Sequence, residues 1–79
     1  MLSLFKRDPM KKYVEIFGGA KKMGQSLESC LKQAVDAAVK DGVFPDKKTA
    51  ANEIAKKVTS YLEPGDLSEM ERAKKKAAL

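Results

Sequence analysis

Cys30 is the only cysteine of this chain, and the sequence contains no histidine that could activate it as a nucleophile. It falls on the apolar stripe of a predicted helix, in line with Leu27, Leu31 and Ala34. Burial among apolar side chains raises the pKa of a thiol and makes it unreactive. We therefore expect Cys30 to be a core residue; a regulatory thiol and an intermolecular disulfide are the alternatives.

The acidic residues are not arranged as a catalytic pair or a metal site. Most of them alternate with lysines or stand at helix starts, where solvation and capping explain them. Asp41, Gly42 and Asp46 lack the spacing and the final glutamate of a calcium loop. Gly18 and Gly19 are not followed by the Gly-Lys-Ser/Thr ending of a phosphate-binding loop. We expect no catalytic site, no metal site and no cofactor, and interpret the chain as a non-enzymatic protein.

Glycine and proline divide the chain into four amphipathic segments, and none of them alternates with the period of two typical of a half-buried strand. Asp8 and Pro9 are typical of a helix start, and the Gly18-Gly19 pair is predicted to end that helix or at least to weaken it. The sequence predicts an all-α fold, a small bundle of three to four helices at approximately 9–17, 21–41, 47–62 and 67–77. Residues 1–79 are predicted to form one domain, with residues 1–7 as a candidate flexible tail.

The predicted core is small. Residues 27–39 are expected to form its axis, with Ile54, Val58 and Leu62 opposite and Tyr61 on the same stripe. A chain of 79 residues is only marginally stable on its own, and association is a common remedy. We therefore expect a protein partner or a homodimer.

The net charge of +5 comes from 16 basic and 11 acidic residues, and only Arg7 and Arg72 of the basic ones are arginine. Lysine is a strongly hydrated point charge, whereas arginine supplies the planar forks that clamp phosphate or read guanine. The basic character is therefore typical of a solvated surface. The sequence shows no export signal and no apolar run long enough to span a bilayer, so we expect a cytoplasmic protein with a reduced thiol.

The run Thr-Ala-Ala-Asn-Glu-Ile-Ala-Lys-Lys-Val at 49–58 resembles the first helix of helix-turn-helix DNA-binding motifs. The resemblance implies a recognition helix that begins near Leu67. Basic residues of this alternative are Lys56, Lys57, Arg72, Lys74, Lys75 and Lys76. The chain departs from the motif because residues 59–62 continue the apolar periodicity where a short turn is required. Glu69 and Glu71 would also repel phosphates at the start of the recognition helix.

A second alternative concerns the amino-terminal residues. Leu2, Leu4 and Phe5 could insert shallowly into an anionic membrane surface, and Lys6 and Arg7 would be attracted to its charge. Packing of the same apolar residues onto the core is the competing interpretation.

The main hypothesis is a small binding or regulatory protein that acts through protein–protein association, including self-association. Its candidate partner-binding residues are Met10, Tyr13, Val14 and Phe17, which recur at the spacing of one helix face. The same spacing is expected of a helix that packs against the core. The sequence leaves open which of the two uses this face has.

Overall fold

A computed structural model describes residues 9–79, and within that range it contains four α-helices and no β-strand. The helices are α1 (Pro9–Lys22), α2 (Leu27–Lys40), α3 (Lys47–Val58) and α4 (Leu67–Ala77). Two short 3-10 turns, Thr59–Tyr61 and Pro64–Asp66, lie between α3 and α4. The predicted all-α bundle is confirmed.

Helix α2 lies at the centre and packs against α1, α3 and α4. Its side chains at Leu31, Ala34, Val35 and Ala38 are fully buried, as expected for the axis of the bundle. The small alanines let the neighbouring helices approach closely, and Ile54 of α3 fills the space opposite them without any exposure.

Helix α1 continues through Gly18 and Gly19 to Lys22, so the prediction that it ends at residue 17 is wrong. Each glycine inside a helix costs only about 1 kcal/mol relative to alanine. Phe17 and Ala20 on either side of the pair are both buried, and their packing holds the helix together across it.

Gly24 is the residue that ends α1. It has a φ of 86°, its N–H donates to the carbonyl of Lys21, and the N–H of Gln25 donates to the carbonyl of Ala20. This pair of bonds is the Schellman motif, which requires the left-handed conformation that glycine adopts without strain. Helix α2 consequently begins at Leu27, with Ser26 as its N-cap. The predicted range of 21–41 therefore starts six residues too early, while Ser26, the best cap that the sequence offers in this region, is confirmed.

Helix α3 ends at Val58, four residues earlier than predicted, and the chain tightens into a 3-10 turn. A 3-10 turn advances 120° per residue instead of 100°, which rotates the following side chains out of the α-helical stripe. Tyr61 is therefore 74% exposed, and its predicted place in the core stripe is wrong. Leu62 is half-buried at the edge of the core.

Polar contacts fix the outer helices to α2. One oxygen of Asp41, Oδ2, accepts hydrogen bonds from Lys12 Nζ and from the Tyr13 hydroxyl, both at 2.8 Å. We call this group the Asp41 clasp. The hydrogen bond from Lys12, followed by that from Tyr13, lowers the pKa of Asp41 below its ordinary value. On the other side, the Leu27 N–H donates to Glu69 Oε2 of α4 at 3.3 Å, which satisfies a free donor at the start of α2.

Candidate functional site

A groove of about 430 Å³ opens between the second half of α1 and the end of α3. Its floor is apolar and is formed by Val14, Phe17, Val58 and Leu62, and the exposed ring of Tyr61 stands beside them. We call this surface the α1–α3 groove. Concave surfaces with an apolar floor and a polar rim are the usual form of a binding site.

A smaller hollow of about 320 Å³ continues the groove toward the start of α1. It shares Val14, Glu15 and Tyr61 with the groove and adds Lys11 and Lys57. The combined surface runs along α1 from residue 11 to residue 22, which is about 16 Å at ~1.5 Å per residue.

The groove uses a second face of α1, which lies beside the face that packs on the core. It consists of Lys11, Val14, Glu15, Gly18, Lys21 and Lys22, and we call it the groove face. These positions recur at i, i+3, i+4, i+7, i+10 and i+11, which brings them to one side of a helix. Helix formation through the glycine pair is what extends this face over three turns, because a helix that ended at residue 17 would lack its second half.

No contact within residues 9–79 requires glycine at position 18 or 19. Neither residue has a positive φ, and apart from the chain neighbours and the backbone of α1, no atom in that range lies within 4 Å of a Cβ added at either position. Both positions therefore have room for a side chain and an ordinary helical backbone. Two glycines are retained here at a cost in helix propensity of about 1 kcal/mol each. Their effect is to leave the backbone of α1 uncovered at the middle of the groove.

The rim of the groove is basic. Lys11, Lys21 and Lys22 form no ion pair within residues 9–79, and Lys57 lines the same surface from α3. Glu15 is the one acidic residue among the lining residues of the groove and its extension. Lys21 and Lys22 also suit the negative end of the α1 dipole, but their ammonium groups stay exposed to solvent.

A larger hollow of about 660 Å³ lies on the other side of α3, between α3 and α4. Its lining mixes both charge signs, with Glu53 and Glu71 beside Lys56 and Lys74. Lys74 Nζ lies 3.1 Å from Glu71 Oε2, so part of the charge is already neutralised. Despite its volume, this hollow offers neither a continuous apolar floor nor a rim of one sign.

The structure does not extend the helix-turn-helix resemblance beyond the first helix. Residues 59–66 separate α3 from α4, whereas the motif has a turn of about three or four residues. The basic residues of that alternative are also divided. Lys56 and Lys74 line the α3–α4 hollow, Lys57 lines the groove extension, and Lys76 pairs with Glu28 at 3.3 Å. Arg72 and Lys75 are exposed on α4.

The four candidate partner-binding residues do not share one environment. Met10 and Tyr13 are at most 8% exposed and belong to the core, Phe17 is buried but also forms part of the groove floor, and Val14 is half-buried and lines the groove. The groove face and the predicted partner-binding face are therefore neighbouring faces of α1, and they share Val14. The sequence contained a signal for it in the spacing of Val14, Gly18 and Lys21, which the glycine pair obscured because it was interpreted as a helix end.

Cys30 is confirmed as a core residue, since its side chain has no exposed area. Burial raises the pKa of its thiol, which keeps the sulfur protonated. Its Sγ donates a long contact of 3.7 Å to the carbonyl of Gln25.

The expectations about a membrane and a metal ion can be compared with the structure only for residues 9–79. Leu2, Leu4, Phe5, Lys6 and Arg7, the candidate membrane-contact residues, lie outside the described part of the chain. Among the helices formed by residues 9–79, none is both long and apolar enough to cross a bilayer. In the same range, no three Cys, Asp or Glu side chains are grouped so that they could hold a metal ion.

The chain matches no protein-family model, no curated protein and no solved structure. Its function must therefore be argued from its own geometry, of which the α1–α3 groove is the most distinctive part.

Proposed function

We propose that this chain is a small, non-enzymatic binding or regulatory protein of the cytoplasm that acts through protein–protein association at the α1–α3 groove. The observation that carries the proposal is the pair of mid-helix glycines at 18 and 19. They have ordinary helical backbones, and the packing of residues 9–79 leaves space for a Cβ at both positions, so nothing in that part of the chain depends on their lack of a side chain. Glycine at these two positions would allow a partner to approach the α1 backbone closely.

The side chains around the glycines support the same proposal. Tyr61 is 74% exposed beside an apolar floor, and tyrosine is enriched at protein interfaces because its ring supplies contact area with little loss of conformational entropy. Val14 and Leu62 are half-buried at the edge of that floor. A partner would complete the burial of these three side chains, and that burial would drive association.

Photo-crosslinking in an extract of cells that make the protein tests the proposal. Tyr61 is replaced by p-benzoylphenylalanine, and the matched control carries the same group at Lys32, an exposed position of α2 that does not line the groove. We expect an adduct from position 61 alone. Excess wild-type chain should abolish it, whereas excess chain carrying Gly18→Leu should not. The proposal fails if position 61 gives no adduct, or if positions 61 and 32 give the same adducts.

Self-association is one form of this proposal, and light scattering identifies it. A monomer has a mass of 8.7 kDa, so a homodimer through the groove would give twice that mass and would revert to a monomer in the Gly18→Leu variant. A dimer that persists in that variant would use another surface, and the groove would then have no part in self-association.

A further inference from the structure

The shape of the α1–α3 groove and the charge on its rim restrict what can occupy it. If the proposed function is correct, the occupant must bury an apolar strip, approach the α1 backbone closely and tolerate a basic rim. We infer that the groove receives an acidic amphipathic helix from a partner protein. This inference rests on the proposed function and names its partner class.

The dimensions of the groove fit a short helix. The groove face follows α1 for about 16 Å, which equals about three turns of a second helix at ~5.4 Å per turn. Three turns present apolar side chains at i, i+3 or i+4, and i+7, the pattern by which amphipathic helices enter apolar grooves. Val14, Val58 and Leu62 line the strip that those side chains would cover.

Gly18 is the position in the groove at which a partner helix could come closest to the α1 backbone. It lies at the centre of the groove face, with Val14 one turn before it and Lys22 one turn after it. Among residues 9–79, apart from the chain neighbours and the backbone of α1 itself, no atom lies within 4 Å of a Cβ built on Gly18, so this part of the structure leaves space there for a partner. A helix could place its own backbone or one large apolar side chain against this position.

The positive charge on the rim favours a partner that carries negative charge. Three lysines of α1, Lys11, Lys21 and Lys22, flank the apolar strip, and Glu15 is the one acidic residue among the lining residues. Carboxylates beside an apolar stripe would meet these ammonium groups, which steers encounter and selects against basic partners. The same rim argues against a second copy, since two grooves face to face would bring lysines against lysines.

The inference is tested with a synthetic helical peptide about four turns long that has a leucine stripe flanked by glutamates. One control peptide has lysine in place of every glutamate, and another has the acidic composition in scrambled order. Binding to the full-length, ¹⁵N-labelled protein is followed by NMR. The acidic helix should shift the amides of Val14, Gly18 and Tyr61 and bind at least about tenfold more tightly than either control, with affinity that falls as salt rises.

Charge reversal on the protein provides the matched variants. Lys21→Glu with Lys22→Glu should remove the preference for the acidic peptide or invert it. Lys32→Glu with Lys40→Glu makes the same change in net charge on α2, outside the groove, and should leave the preference intact. Circular dichroism confirms that both variants are folded before their affinities are compared.

The failures of the inference and of the proposed function are separable. If the basic helix shifts the groove amides as strongly as the acidic one, the acidic partner is excluded while the groove remains a docking site. Equal binding by the scrambled peptide, or shifts outside the groove, would also overturn the inference. If no peptide shifts the groove amides, the acidic-helix inference is wrong, and the crosslink at position 61 decides the proposed function separately.

Discussion

Two faces of α1 lie side by side, and they differ in how well the packing of the chain explains which residues they contain. The inner face, formed by Met10, Tyr13, Phe17 and Ala20, is at most 8% exposed and packs into the core. The groove face, centred on Gly18, is open, basic at its rim and apolar at its floor. The inner-face side chains are those the fold needs, because each fills space that would otherwise be a cavity. The groove face contains a glycine, Gly18, that makes an isolated helix less stable than alanine would.

The difference gives a criterion by which a candidate binding surface can be distinguished from a structural one. A residue whose identity improves the fold needs no further explanation. A residue that weakens its helix and relieves no strain or clash within the chain calls for a reason outside it. Gly24 is of the first kind, because its positive φ ends α1. Gly18 is of the second kind, although it lies only six residues earlier.

The largest expected effect is on the inner face. Phe17→Ala removes a ring that is 3% exposed and should lower the free energy of unfolding by about 3–5 kcal/mol, since such truncations leave a cavity. Urea denaturation followed by far-UV circular dichroism measures the loss. The matched change on the groove face, Val14→Ala, removes a half-buried side chain and should cost less than about 1.5 kcal/mol. Equal losses would show that the two faces are equally structural.

The next effect is at the end of α1. Gly24→Ala forces an alanine into a φ of 86° and should destabilise the chain by about 1–2 kcal/mol, the usual cost of a left-handed conformation for a residue with a Cβ. The same denaturation experiment applies. An unchanged midpoint would mean that the chain can end α1 without the Schellman motif.

Gly18→Ala is the same substitution, six residues earlier, and should have the opposite sign. Alanine is a better helix former, and its Cβ would meet no side chain of residues 9–79 within 4 Å beyond its chain neighbours, so the free energy of unfolding should rise by about 0.5–1 kcal/mol. Loss of stability in this variant would make Gly18 a structural residue and would remove the main support for a binding groove.

The smallest expected effect is at the Asp41 clasp, which attaches the inner face to the end of α2. Because the hydrogen bonds from Lys12 and Tyr13 lower the pKa of Asp41, the folded state favours the carboxylate. The stability that this provides is present above the unfolded pKa of about 3.9 and is lost as the pH falls through the lower folded value.

Asp41→Asn isolates this contribution. Denaturation curves between pH 7 and pH 2 should show the wild type more stable at neutral pH and the difference shrinking as the pH falls. Asp46, whose pKa is lowered mainly by its hydrogen bond with the backbone of Thr49, is present in both proteins and cancels in the comparison. Parallel pH profiles for the two proteins would contradict the proposed role of the clasp.

The bundle was predictable because its signals are strong and local. Leu27, Leu31 and Val35 recur at helical spacing, and Ser26 is a good cap for the helix that contains them. The helix ends were less predictable, because packing decides them. Buried Phe17 and Ala20 carry α1 through two glycines that local propensity alone would have made its end.

The groove was not predictable for related reasons. Its middle depends on α1 continuing past residue 17, and its wall depends on Tyr61 turning outward in a 3-10 turn. Local propensity predicts neither event: the glycine pair favours an end of α1 at residue 17, and the periodicity of residues 51–62 favours a helix that continues through Tyr61. Of the four residues predicted to bind a partner, Val14 and Phe17 line the groove, whereas Met10 and Tyr13 lie in the core and do not.

The most direct test of the central claim measures stability and binding on one variant, Gly18→Leu. The claim is that this glycine serves a partner rather than the fold. We predict that the free energy of unfolding stays the same or rises by up to about 1 kcal/mol, while the acidic helical peptide binds at least about tenfold more weakly. A variant that binds the peptide as tightly as the wild type does, or that loses stability instead, would contradict the claim.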